Sequence, residues 1–143
     1  MKALAKLAAV SALTLAAQAA LAVGAGGTWK TIDDETHQAK SLVEISEAAN
    51  GELSGKVIKL FNNPEAVCDK CDGALKGKPI VGLTIMTGLK KDGDAWENGK
   101  ILDPKSGKVY SAKAKLVDGG KKLEVRGFLG ISLLGRTQVW ERQ

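Results

Sequence analysis

The sequence predicts an all-β fold, an eight-stranded antiparallel barrel with a short helix in one long loop. Three observations carry that expectation. Apolar and polar residues alternate over short stretches, most clearly where Tyr110, Ala112, Ala114 and Leu116 interleave with Ser111, Lys113 and Lys115. A period of two gives a strand one buried face and one wet face. Gly, Asn, Asp and Pro clusters fall between almost every pair of such stretches, as in a meander of short strands. Helical periodicity is missing beyond the N-terminal leader. An eight-stranded meander that closes on itself has no unpaired edges.

The leader comes first. Lys2 and Lys6 precede an apolar run from Leu7 to Leu15, and A-x-A sites follow at Ala17-Gln18-Ala19 and Ala20-Leu21-Ala22. This is the three-part pattern of a secretory signal peptide, expected to be cleaved after Ala22. Its apolar core is shorter than the about 20 residues a membrane span needs. Residues 1–22 are therefore assigned to the signal and 23–143 to one barrel domain, periplasmic or secreted, with no transmembrane span.

Thr28 to Ile32 is the first expected strand, with Trp29 and Thr31 on one face. Ser41 to Ser46 is the second, with Val43 and Ile45 together, and Asn50-Gly51 is a strong hairpin signal because both residues tolerate positive φ. Glu52 to Leu60 is the third strand. Asn63-Pro64-Glu65 has the order of an N-cap, a first-turn proline and a first-turn acid, so a helix of one or two turns is expected up to about Cys68. Pro79 to Thr87 is the fourth strand, with Val81, Leu83 and Ile85 on one face. Trp96 to Leu102, Lys108 to Val117, Lys121 to Arg126 and Arg136 to Arg142 complete the set. An apolar bend, Leu129 to Leu134, separates the last two.

The chain has 143 residues and a formal charge of +5, of which the leader lysines supply two. The remaining lysines are scattered, whereas nucleic-acid binders concentrate theirs in a patch. Cys68 and Cys71 form a C-x-x-C. In an oxidising compartment such a pair defaults to a disulfide, with redox work or metal binding as alternatives. Two cysteines and the single His37 fall short of the four ligands of a structural zinc site, so no metal or other cofactor is expected. No serine sits in a nucleophile elbow, no phosphate-cradling loop is present, and the acids cluster in turns, where they serve conformation. The chain is read as a non-enzyme with no catalytic residues.

Gly27-Thr28-Trp29 near the start and the arginines near the end suggest how the barrel closes. In lipocalin-like barrels a G-x-W tryptophan plugs one end and an arginine stacks on it. Closure is assigned to Gly27, Trp29, Arg126, Arg136, Trp140 and Arg142, with the pairing arginine left open. The alternative is that Trp29 is an ordinary core aromatic. Eight strands enclose an interior that is either filled or just wide enough for one small ligand. The candidate cavity residues are Trp29, Val43, Ile45, Leu83, Ile85, Tyr110, Leu116 and Phe128.

Taken together, Gly27-x-Trp29-Lys30-Thr31, Gly55-Lys56-Val57, the Pro79 to Leu89 strand, Trp96 with Gly99 to Pro104, Gly107-Lys108-x-Tyr110, and Val125-Arg126-Gly127-Phe128 through Gly135-Arg136-Thr137-x-x-Trp140-x-Arg142 resemble a family of small secreted bacterial proteins. That family is known only as a domain of unknown function (number twenty-one forty-seven). The resemblance implies a lipocalin-like (calycin-like) barrel outside the cytoplasm and no assigned activity. It also implies a structural role for the C-x-x-C, which only some members share. The resulting expectation is a barrel holding a small apolar, fatty-acid-like or amphipathic ligand. The alternatives are a filled barrel acting as an envelope interaction module through Leu129 to Leu134, and a thiol-redox protein.

Overall fold

A computed structural model describes residues 24–143; the expected leader and its cleavage point lie outside the described residues. The strands are β1 (Gly27–Ile32), β2 (Ala39–Glu47), β3 (Leu53–Leu60), β4 (Thr84–Asp92), β5 (Ala95–Asp103), β6 (Lys108–Val117), β7 (Lys122–Phe128) and β8 (Gly135–Arg142). Each pairs antiparallel with the next, and β8 returns to β1, so the sheet closes into a barrel. The all-β, eight-stranded expectation holds.

The meander places the β1–β2, β3–β4, β5–β6 and β7–β8 connections at one end. The other three connections and both ends of the described chain lie at the opposite end. Closure is uneven. β6 and β7 pair from Ser111↔Phe128 to Val117↔Lys122, while β1 and β8 pair only at Trp29↔Arg142 and Lys30↔Glu141. Beyond Lys30 the two strands separate toward the end that carries the long loops.

The interior is packed where the strands converge. Trp29, Val43, Leu53, Leu89 and Leu123 are fully buried, and Trp96 and Trp140 nearly so. Small residues make room for large ones. A Cβ on Gly99 would lie 2.5 Å from Leu89 Cγ, and one on Gly55 3.2 Å from both Met86 and Val43. Glycine there costs strand propensity but lets the large side chains interlock. Trp96 Nε1 donates to the Gly51 carbonyl at 3.1 Å, tying β5 to the β2–β3 turn.

Two local expectations are corrected, and the β2–β3 hairpin signal is refined in detail. The helix after Asn63 does not form. Asn63 has φ 48°, whereas an N-cap residue needs extended backbone, and the chain makes one turn closed by Ala66 N–H to the Asn63 carbonyl at 3.0 Å. The helical turn in this loop is instead a 3₁₀ turn at Gly73–Leu75. The fourth strand begins at Thr84, not Pro79. Gly82 takes φ 95° and Leu83 N–H bonds back to the Ile80 carbonyl at 3.0 Å, so Val81 is exposed while Leu83 and Ile85 are buried. In the β2–β3 turn only Gly51 is left-handed, at φ 84°; the Asn50 side chain caps it by accepting from Glu52 N–H at 3.0 Å.

Candidate functional site

At the convergent end, Trp29 and Arg142 face each other across the β1–β8 seam. Trp29 Nε1 donates to the Ala25 carbonyl at 2.8 Å, which folds the preceding segment over the indole. The Arg142 guanidinium lies 4.4 Å from the ring centroid, where the ring quadrupole favours a cation. It donates to the carbonyls of Gly120, Gly26 and Gly24 at 2.8, 2.9 and 2.6 Å. Gly27 has φ 130°, and a Cβ there would lie 3.2 Å from Arg142 Nη1. Gly27, Trp29 and Arg142 thus meet at the closure.

The other assigned closure residues lie elsewhere. Arg126 donates to the Ser132 carbonyl at 2.7 Å and to Thr137 Oγ1 at 2.8 Å, bracing the β7–β8 bend at the open end. Arg136 is exposed at the rim and pairs with Asp34 at 3.2 Å. Trp140 is buried inside the barrel, opposite Leu123. Only register separates these candidates, because Trp29 aligns with Arg142. The carbonyls that receive Arg142 carry no sequence signal.

Toward the open end the barrel holds a cavity of about 1000 Å³, at the upper end of the size usual for small-molecule sites. Ile85, Tyr110 and Phe128 line it. Trp29, Val43, Ile45, Leu83 and Leu116 do not: the first four are buried in the core, and Leu116 is half-buried on β6 opposite Leu123. Alternation assigns a residue to the inner face but says nothing of its height along the axis. The cavity wall also includes Thr31, Ser41, Val57, Ile101, Gln138 and Trp140. Thr31 and Ser41 share the inward parity of Trp29 and Val43, so their positions were readable, but as polar residues they gave no apolar signal.

Polar groups run up the cavity from floor to rim. Trp140 Nε1 donates to Gln138 Oε1 at 3.2 Å, and Gln138 Nε2 donates to Asp34 Oδ2 at 3.1 Å. The same Asp34 oxygen accepts from Arg136, so side chains bridge β8 to the β1–β2 turn where the backbone seam is open. Beside them the Thr31 and Ser41 hydroxyls are 2.6 Å apart. In the β1–β2 turn, Asp33 Oδ1 accepts from Thr36 and Glu35 N–H at 2.9 and 2.8 Å, and these backbone donors, Thr36 first, hold its carboxyl below the usual range.

The β3–β4 loop covers part of the mouth. Cys68 and Cys71 form a buried disulfide, with Cys68 Sγ 3.6 Å from the Pro104 carbonyl. Gly107, at φ 73°, admits the Lys70 carbonyl into space a Cβ would occupy. The loop therefore rests on the β5–β6 turn by close backbone approach. Opposite it, the β7–β8 bend exposes Leu129, Ile131, Leu133 and Leu134, and Leu129 and Leu134 also line the mouth.

Among the described residues, no three His, Cys, Asp or Glu side chains are grouped to hold a metal, and no helix is long and apolar enough to cross a membrane.

A closed eight-stranded meander, plugged at one end by a tryptophan–arginine stack and hollow at the other, defines a lipocalin-like barrel. The chain belongs to the family described as "Uncharacterized protein conserved in bacteria (DUF2147)", whose model matches residues 27–142. Among solved structures it is similar to a protein from Helicobacter pylori, HP1028, described as belonging to the lipocalin family. The two share 19% identity at a TM-score of 0.74, over 85% of this chain and 84% of the other. At that identity the likeness establishes the fold. No curated protein matches the sequence.

Proposed function

We propose that this protein works outside the cytoplasm as a binding barrel that carries a small apolar or amphipathic molecule in its open half. The observation that carries the reading is the cavity of about 1000 Å³ above a packed floor. Val57, Leu60, Ile85, Ile101 and Phe128 on its wall would gain by being covered, since hiding apolar surface from water releases about 25 cal/mol per Å². The buried Cys68–Cys71 disulfide suits an oxidising compartment, in keeping with the expected leader. His37 is exposed in the β1–β2 turn, away from the enclosed wall, which favours carriage over catalysis.

The test is native mass spectrometry and solvent extraction of protein purified from the periplasm, followed by thermal melts with a panel of hydrophobes. A ligand present at 100 times its Kd adds about 2.7 kcal/mol, a rise of several degrees in Tm for a domain of this size. A barrel that is reproducibly empty, and whose melting no hydrophobe raises, refutes the reading.

The hollow open half argues against a barrel filled throughout. The surface part of that alternative keeps its own observation, the exposed side chains of Leu129, Ile131, Leu133 and Leu134. Replacing Ile131 and Leu133 with Ser tests it: loss of a co-purifying envelope partner, with ligand binding intact, favours a contact role for the bend.

A further inference from the structure

The strand-borne wall of the cavity divides by chemistry. Three neighbouring strands, β8, β1 and β2, contribute Arg136, Gln138, Trp140, Thr31, Lys40 and Ser41. Each of these offers a hydrogen-bonding group. The other five strands contribute Val57, Leu60, Ile85, Ile101, Leu102, Val125 and Phe128, with the Asp103 carboxylate at the rim where β5 ends. Below the rim, the Tyr110 hydroxyl is the polar side-chain group on that side. The division is made by closure: β8 and β2 lie at opposite ends of the sequence pattern and become neighbours of one strand only because the barrel shuts.

The polar side keeps hydrogen-bonding capacity in reserve. Thr31 and Ser41 lie 2.6 Å apart, so one hydroxyl hydrogen is shared between them. When Ser41 donates, the Thr31 hydrogen can turn to the Ser41 carbonyl at 3.5 Å or into the cavity; when Thr31 donates, it is the Ser41 hydrogen that is spare. The indole N–H of Trp140 fixes the Gln138 amide with its oxygen toward the ring. Its nitrogen then gives one hydrogen to Asp34 and has a second to spare. These side chains sit on strands and are held by one another, so the pattern is preorganised.

We infer that the barrel is built for a ligand that is amphipathic along its length: one flank carries several hydroxyl, carbonyl or amide groups to meet Thr31, Ser41 and Gln138, and the other flank is hydrocarbon. This rests on the ligand-binding reading above and sharpens it. A bare alkyl chain would cover the polar strands without replacing the water they lose, which is unfavourable. A facially divided ligand satisfies both walls at once, and its orientation about the barrel axis is fixed by the wall.

The inference is tested with three probes, cholate, lithocholate and palmitate, titrated against the full mature protein by calorimetry and tryptophan fluorescence, with Trp140 at the cavity floor as reporter. Cholate and lithocholate share a skeleton and a carboxylate and differ in hydroxyls on one face. The expected result is that cholate binds more tightly than lithocholate, the reverse of their order of transfer out of water. In Thr31→Val/Ser41→Ala, cholate affinity falls about tenfold, as loss of one or two neutral hydrogen bonds implies, and lithocholate affinity stays within about threefold. Lithocholate and palmitate binding while cholate binds more weakly overturns the polar-flank inference and leaves the ligand-binding reading standing. No binding of any probe overturns both. If the double variant fails to fold, Gln138→Leu replaces it, and the wild-type order of cholate and lithocholate decides by itself.

Discussion

Arg142→Ala is the substitution whose cost the structure specifies best. The guanidinium makes three charge-assisted hydrogen bonds, to Gly120, Gly26 and Gly24, and stacks on the fully buried Trp29. Hydrogen bonds to charged groups contribute about 1.5–3 kcal/mol each, but the three glycines are only half-buried, so water replaces part of each. The stack adds about 1 kcal/mol. A loss of about 3 kcal/mol is expected, a large share of the 5–15 kcal/mol that holds an ordinary domain. Arg142→Lys keeps the charge, yet an ammonium cannot reach three carbonyls in the planar fork that a guanidinium presents, so it should recover less than half. The assay is urea unfolding followed by tryptophan fluorescence. In a double-mutant cycle, Trp29→Ala and Arg142→Ala should couple by about 1 kcal/mol or more. A loss below about 1 kcal/mol for Arg142→Ala, with an unchanged denaturant slope, would refute the assignment of this arginine as the clasp.

Arg136→Ala, by contrast, should cost less than about 1 kcal/mol in the same assay, because the side chain is 74% exposed and its partner Asp34 lies on the surface as well. Gly107→Ala should dislodge the β3–β4 loop, since its Cβ would occupy the place of the Lys70 carbonyl at a φ of +73°; faster proteolysis between Phe61 and Leu83, with the strands intact by circular dichroism, is the expected readout. Cys68→Ser/Cys71→Ser should lower stability by about 2 kcal/mol, the chain-entropy value for so short a loop, and leave ligand binding in place; a large loss of function with unchanged stability would favour redox chemistry instead. Asp33 should titrate below the ordinary aspartate value by NMR. Its folded pKa is depressed by the Thr36 and Glu35 amides, so its contribution is full above about pH 4 and is lost as pH falls through the depressed value.

Much of the barrel was legible because strands write their faces into the sequence. The alternation from Tyr110 to Leu116 and the turn residues between stretches lead directly to a meander, and closure follows from the need to hide edges. The failures have local causes. Asn63-Pro64-Glu65 carries every helix-start residue, yet the left-handed Asn63 and the pairing of Val67 with Pro79 hold the loop in a different shape. Pro79 to Leu83 is apolar enough for a strand but is bent by Gly82. The site was less legible than the fold. Its depth depends on where each inward residue falls along the axis, and its polar side depends on β8 meeting β1. No linear pattern records either. Choosing Arg142 over Arg126 and Arg136 required the same register.

The clasp also sets an order in time. Its hydrogen bonds join residues 116 and 118 positions apart, so the end of the barrel cannot be sealed until nearly the whole domain has emerged and its last strand has found its first. All-β barrels, built from pairings between strands rather than within helices, fold in milliseconds to seconds, and this seam is the most distant pairing in the chain. Until that moment β1 and β8 are open edges, able to pair with a neighbouring chain. A weakened clasp would therefore show itself as a lower yield of refolded monomer as well as in the lower stability of the finished protein.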